Sequence, residues 1–159
     1  MNATNSRSAH DLGLLLIRLM VGVVFVFHGA QKLFGVWGGP GLEGFTGFLT
    51  TLNVPMPGVS AVLAAVAEFG GGVALILGLG TRLWAVPLVV TMLVAAFKVH
   101  GSAFAAQAGG MEYALTLGVV TAGLALTGAG AWSVDALLSK KLAFAPVSNK
   151  IAPRRAVVE

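Results

Sequence analysis

Four long apolar runs constrain this chain more than any other feature of its sequence. They cover residues 12–34, 57–79, 83–99 and 111–129, and each is about 17 to 23 residues long. A helix needs about 20 residues to cross the hydrocarbon core of a bilayer, which is about 30 Å thick. The runs therefore predict an all-α membrane protein built as a bundle of four transmembrane helices.

The composition excludes a soluble domain and several kinds of chemistry. Hydrophobic residues make up 57% of the 159 residues and charged residues 10%, whereas an ordinary globular domain has about 25% charged residues. The chain has no cysteine, which excludes disulfides, thiol catalysis and iron–sulfur clusters. The net charge is +4, but most of the Lys and Arg residues lie in short segments between or after the apolar runs, so the charge does not indicate a nucleic-acid partner.

The distribution of Lys and Arg predicts the orientation of the chain in the cell membrane, because cytoplasmic segments carry an excess of positive charge. Arg7 precedes the first run, Arg82 lies in the second loop, and the C-terminal segment is basic. Both termini are therefore predicted to be cytoplasmic, with residues 35–56 and 100–110 outside. The predicted divisions are an N-terminal segment (1–11), a membrane domain (12–138) and a basic, disordered tail (139–159).

Two short helices are expected outside the spans. In the first outer loop, apolar residues recur at helical spacing and predict an amphipathic helix on the bilayer surface, the alternative being an irregular loop: Leu42, Phe45, Phe48, Leu49 and Leu52. After the last run, Ser133 and Asp135 are typical of a helix start. We expect a cytoplasmic helix that runs to about Leu142, with Ser133 as its N-cap.

Polar residues inside the spans are the candidates for function, since a charge in lipid costs several kcal/mol unless it is paired or used. Counting about 1.5 Å per residue from the cytoplasmic ends places Arg18 about 9 Å deep and Glu68 about 16 Å deep. A long Arg side chain would bridge that difference, so we expect these two residues to pair. The other candidates gather near the outer interface: His28, Gln31, Lys32, Lys98, His100 and Glu112. Four of these, His28, Lys32, Lys98 and His100, are predicted to line one cavity.

Several of these residues stand in recognisable motifs. The chain reads Arg18-Leu-x-x-Gly22, His28-Gly29-x-x-Lys32-Leu-Phe-Gly, Glu68-x-x-Gly-Gly and Trp132-Ser-x-Asp135. This pattern, over residues 12 to about 138, resembles the DoxX family of small bacterial membrane proteins. The resemblance implies a four-helix membrane fold and a link to oxidoreductases, since the family's relatives include the small subunit of an archaeal thiosulfate:quinone oxidoreductase. The motif positions of the family correspond to Arg18, His28, Lys32, Glu68 and Arg82.

The polar cluster has the chemistry that a quinone requires. A quinone needs an apolar crevice, donors for its two carbonyl oxygens and groups that exchange protons. We therefore expect a redox-associated subunit that binds quinone or a similar flat amphiphile in the outer half of the bundle, with Glu68 and His28 as candidate catalytic groups. The sequence has neither cysteines nor a dinucleotide-binding fingerprint, so electrons would come from a redox partner protein or a noncovalent cofactor.

Two other classes of function stay open. The chain would be a binding or transport module if a small polar or anionic solute passed Lys32, Lys98 and Arg18. It would be a structural scaffold if the polar residues only held the helices together. Haem between His28 and His100 is disfavoured because each histidine sits close to a lysine, and no metal site is predicted. Glycine-rich helix faces favour a homo-oligomer.

Overall fold

The computed structural model describes residues 3–143, and within that range the chain is all-helical. The six α-helices are α1 (Ala3–Phe34), α2 (Gly41–Thr51), α3 (Pro57–Leu77), α4 (Thr81–Val94), α5 (Glu112–Thr127) and α6 (Val134–Ala143). A π-helical turn, Ala95–Val99, continues α4, and short 3₁₀ turns occur at Val36–Gly38 and Ala106–Ala108. Most of the predicted tail, residues 144–159, lies outside the described residues.

Three helical segments are long and apolar enough to cross a membrane: Ser6–Phe34, Pro57–Leu77 and Thr81–Val99. The predicted all-α class is confirmed, and three of the four predicted runs form helices of this length and composition. The fourth predicted span corresponds to α5, which is apolar but has only 16 residues. Because 16 residues rise about 24 Å along a helix, α5 is shorter than the hydrocarbon core is thick. The count of four spans stays a prediction.

The long helices pack in the order α1, α3, α4, α5, and α1 and α5 contact each other much less than the other neighbours do. The core between them includes Phe25 of α1, Leu75 of α3, Leu88 of α4 and Leu124 of α5. We call the end of the bundle where α1 ends and α3 and α5 begin the Lys32 end. The opposite end, where α3 and α5 end and α4 begins, is the Arg18 end.

Glycines set the register between α1 and α3, which run antiparallel. A Cβ atom added at Gly29 would lie 2.4 Å from the backbone nitrogen of Phe69, and one at Gly22 would lie 2.6 Å from the Ile76 side chain. Only glycine lets the two backbones approach this closely. Seven residues separate the contact points along each helix, so the register is the same over two turns.

The predicted amphipathic helix is present as α2, and the alternative of an irregular loop is wrong. Phe45 and Leu49 of α2 are buried against Ala61 of α3, while Phe48 is exposed. The helix therefore packs its apolar face on the bundle at the Lys32 end. Its predicted contact with the bilayer surface stays a prediction.

Candidate functional site

A buried ion pair joins α1 to α3. The Lys32 ammonium nitrogen lies 2.5 and 2.6 Å from the two carboxylate oxygens of Glu68, so it donates to both. The Glu68 side chain is fully buried, whereas 23% of the Lys32 side chain is exposed. The Phe45 ring of α2 lies with its centroid 5.0 Å from the same nitrogen, an arrangement typical of a cation–π contact. The pair is thus held by three helices.

The predicted pair between Arg18 and Glu68 is wrong. The α1–α3 register puts Arg18 level with Gly80 and Glu68 level with Ala30. Consistent with this, a Cβ atom added at Gly78 would lie 2.7 Å from a guanidinium nitrogen of Arg18. Twelve residues of α1 separate the two levels, which is about 18 Å along the axis and more than an arginine side chain can span. The prediction measured depth from the ends of the apolar runs, and these ends are not level in the bundle.

Arg18 instead holds the chain that follows α5. It is 1% exposed, and its two terminal nitrogens donate to the carbonyl oxygens of Ala129 and Trp132, the latter at 2.7 Å. The Asp11 carboxylate accepts from the Ala131 N–H at 3.0 Å. Charge-assisted hydrogen bonds of this kind are stronger than neutral ones and fix the position of the loop. Arg18 therefore has a structural role in this arrangement.

The connection to α6 is fixed in the same way. The Ser133 hydroxyl accepts from the Ala136 N–H at 3.1 Å, which confirms Ser133 as the N-cap of α6. The Asp135 carboxylate accepts from the Gly80 N–H at 2.8 Å, at the start of α4. An acidic group is favourable there because the first N–H groups of a helix lack internal partners. The polar residues at the Arg18 end thus tie α6 to the turn between α3 and α4.

A cavity of about 130 Å³ lies at the Lys32 end, between α1, α3, α4 and α5. Its walls combine two kinds of residue. Five are polar or titratable: His28, Lys32, Glu68, His100 and Tyr113. The other five are apolar: Phe25, Met92, Ala95, Ala114 and Leu117. The structure therefore brings together three of the four residues predicted to share a cavity, and adds Glu68 to them.

The π-helical turn after α4 decides which residues of this segment reach the cavity. The His100 N–H donates to the Ala95 carbonyl at 3.1 Å, five residues back, and both residues line the cavity. Lys98 lies on another side of this wide turn, is exposed, and does not line the cavity. The predicted four-residue cavity is wrong for Lys98, because the prediction compared only the depths of the four residues and not the sides of the helix on which they lie.

The His100 ring is oriented by the loop that leads to α5. Its Nδ1 lies 2.8 Å from the Gly109 carbonyl oxygen, and since a carbonyl only accepts, Nδ1 carries the hydrogen. In the neutral ring this leaves Nε2 as an acceptor. Glu112 closes the same loop, because its carboxylate accepts from the Ala106 N–H at 2.9 Å. His100 therefore has a fixed tautomer beside the cavity.

Besides Arg18 and Lys98, two further predicted ligand-binding residues do not line the cavity. Glu112 is exposed and serves the loop just described. Gln31 makes a long contact of 3.4 Å from its side-chain nitrogen to the Trp37 carbonyl oxygen. Both lie near the Lys32 end, but neither lines the cavity.

Tyr113 is the cavity residue that the sequence reasoning missed. It is the only tyrosine of the chain, it lies in the first turn of α5, and its ring centroid is 6.4 Å from that of His28. His28 also meets the ring of Phe27 edge to face at 5.4 Å. In the part of the chain that the structure describes, we find no hydrogen-bond partner for the His28 ring or the Tyr113 hydroxyl. Both groups are therefore available to a bound molecule.

The cavity carries no net charge when its histidines are neutral, because Glu68 compensates Lys32. A volume of about 130 Å³ is well below the usual pocket for a drug-sized ligand, about 300–1,000 Å³, and cannot enclose a haem between His28 and His100. Within residues 6–141 we find no group of three or more His, Asp or Glu side chains that could hold a metal ion. The arrangement suits a small neutral group that forms hydrogen bonds.

Comparison with known proteins gives a consistent family. The DoxX family model matches residues 13–101. The inner membrane protein YqjF of Escherichia coli is 32% identical over 138 residues, which cover 85% of this chain and 98% of YqjF. A Bacillus subtilis protein named "Putative oxidoreductase CatD" is 30% identical, over 82% of this chain and 90% of its own length. A membrane protein of Mycobacterium tuberculosis, Rv3486, is 32% identical over 80% of this chain and 82% of its own.

No solved structure matches the chain. The family match covers more than half of the residues of this chain, and the match to YqjF covers nearly the whole length of YqjF. The long apolar helices of the structure agree with the description of YqjF as an inner membrane protein. The chain therefore belongs to the DoxX family of membrane proteins.

Proposed function

We propose that this protein binds a neutral, flat amphiphile such as a quinone in the cavity at the Lys32 end, as the membrane subunit of a redox system. The observation that carries the proposal is the cavity itself, in which apolar walls meet five polar or titratable side chains. A quinone ring requires an apolar slot, and its two carbonyl oxygens require donors. His28, Tyr113 and Lys32 are the candidate donors.

The charge balance favours a neutral ligand over a small anion. The ammonium group of Lys32 is engaged by Glu68, Lys98 lies outside the cavity, and Arg18 is bound to carbonyl groups at the other end of the bundle. The transport alternative relied on these three cations as a path for an anion. Without a shared path, an anion entering the cavity would gain little electrostatic attraction.

The scaffold alternative applies well to one end of the bundle. Arg18, Asp11 and Asp135 each bind backbone groups and tie loops together. We propose that the Arg18 end stabilises the fold while the Lys32 end holds the ligand. The name of the Bacillus subtilis relative supports an oxidoreductase link, and the lack of cysteine leaves electron delivery to a partner protein or cofactor.

The proposal includes a topology. We infer that α1, α3, α4 and α5 all span the membrane, that both termini are cytoplasmic, and that the Lys32 end faces outward. The short connection from Gly78 to Gly80 between α3 and α4 supports a tight hairpin on one side, and Arg82 at the start of α4 supports a cytoplasmic location for it. Assembly with a second copy is part of the same proposal and rests on the glycine-rich helix faces.

Analysis of the lipids retained by the purified protein tests the proposal. Quinone bound in near-equal molar amount is expected for the wild-type protein, and little for Ala114→Leu, which fills the cavity from α5. The matched control is Val119→Leu, because Val119 lies on the same helix but is 65% exposed and lines no part of the cavity. Quinone at the level of the surrounding lipid in all three proteins would contradict the proposal.

A further inference from the structure

We infer that the cavity admits a head group of one six-membered ring and excludes a fused two-ring head group. This inference rests on the proposed function and names the ligand class within it. The cavity has a volume of about 130 Å³. An apolar protein cavity of about 150 Å³ holds a single benzene molecule, so a space of this size is filled by one ring.

The walls leave little room for a second ring. Four of the apolar wall residues, Phe25, Met92, Ala114 and Leu117, are buried and belong to the main hydrophobic core. Protein cores are packed as densely as organic crystals, and added carbon atoms force neighbouring side chains out of their preferred rotamers. A fused ring brings four more ring carbons, which would have to displace Met92 or Leu117 from contacts in the core.

The open side of the cavity allows a ring to enter while a chain attached to it stays outside. His28 of α1 and Tyr113 of α5 lie on either side of the weakly packed α1–α5 seam, and Tyr113 is 51% exposed. The fully buried Glu68 lies on the opposite wall, on α3. A ligand with one ring and an alkyl chain would place the ring between these walls and the chain along the seam.

Binding of two matched probes to the purified full-length protein tests the size limit. We would use a benzoquinone and a naphthoquinone that carry the same decyl chain, and measure apparent Kd from the ligand-induced shift in melting temperature in detergent. The benzoquinone is expected to bind about tenfold or more tightly than the naphthoquinone, since poor fit of a few carbon atoms changes affinity by such factors.

Two truncations on α5 provide the matched pair of variants. Leu117→Ala enlarges the cavity and is expected to remove most of the difference between the probes. Leu124→Ala removes the same atoms from the same core but away from the cavity, so the preference for the benzoquinone should stay. Met92→Ala, on α4, replaces Leu117→Ala if that variant does not fold.

The outcomes separate this inference from the proposal on which it rests. Equal affinity of the wild-type protein for both probes would overturn the size limit and leave the proposed function intact. Absence of binding of either probe, in the wild-type protein and in the variants, would overturn the proposed function itself. Equal effects of Leu117→Ala and Leu124→Ala would overturn the assignment of Leu117 as a specificity-determining residue.

Discussion

Removing the lysine of the Lys32–Glu68 pair should destabilise the protein strongly. Lys32→Met leaves the fully buried Glu68 carboxylate without its cation, and breaking a buried pair in this way costs about 3–5 kcal/mol. For a protein of this size, each kcal/mol shifts the melting temperature by about 2–4 °C. We therefore expect a decrease of about 6–20 °C, measured in detergent by loss of helical circular dichroism.

Removing the glutamate should cost less, because the two partners are not equally buried. In Glu68→Gln the remaining Lys32 is in the last turn of α1 and already 23% exposed, so its ammonium group can turn towards the interface. Combining Lys32→Met with Glu68→Gln should recover much of the loss of the lysine variant. A favourable coupling energy in this double-mutant cycle is the signature of a direct pair.

The control for these measurements is Lys98→Met, which removes a lysine from an exposed position near the same end of the bundle. Its melting temperature should stay close to that of the wild-type protein, since exposed substitutions usually change stability by about 0.5 kcal/mol or less. If Lys32→Met and Lys98→Met melt at the same temperature, then Lys32 does not compensate a buried charge and our reasoning about the pair is refuted.

Three further predictions concern the rest of the bundle. Arg18→Lys should lose about 1.5–3 kcal/mol, since one ammonium group cannot replace the planar fork that reaches both carbonyls, and an unchanged melting temperature would contradict this. Gly29→Ala should reduce the yield of folded protein because its methyl group would meet the backbone of Phe69, whereas Gly13→Ala, which meets nothing within 4 Å, should fold normally. In intact cells, an impermeant thiol reagent should label Ser102→Cys but not Ser139→Cys, and the reverse pattern would refute the proposed orientation.

The sequence predicted the helices well because their limits are encoded locally. Pro57 stands at the first position of α3, where its missing N–H costs nothing, and Gly78 ends that helix with a positive φ. The apolar spacing of α2 and the Ser133 cap of α6 are local signals of the same kind. Each depends on residues within one or two turns of one another, so no knowledge of the partner helix is needed.

The pairing of charges could not be predicted in the same way, because it depends on the register between two helices. That register is set where Gly29 meets Phe69 and Gly22 meets Ile76, contacts that hydropathy does not reveal. A depth count from the ends of two apolar runs treats those ends as level. In the bundle they are offset, and Glu68 meets Lys32 instead of Arg18.

The residues that line the cavity could not be predicted from the sequence for a second reason. A π-helical turn contains one more residue than an α-helical turn, and that single residue places His100 at the cavity and Lys98 outside it. Glu112 belonged to the predicted cluster and Tyr113 follows it directly in the sequence, but only the tyrosine lines the cavity. The proximity of its ring to that of His28 depends on how α1 and α5 pack, which no local sequence pattern indicates.

The polar residues have different roles at the two ends of the bundle, and this difference supports the location that we propose for a ligand. At the Arg18 end, Arg18, Asp11 and Asp135 bind backbone groups of loops that need partners. At the Lys32 end the charges neutralise each other, and the His28 and Tyr113 groups beside them have no hydrogen-bond partner among the described residues. His28 is partly buried and Tyr113 is 51% exposed, so both groups can bind water or a ligand. Because Glu68 already pairs with the Lys32 ammonium group, the charge balance supports the neutral ligand that we propose.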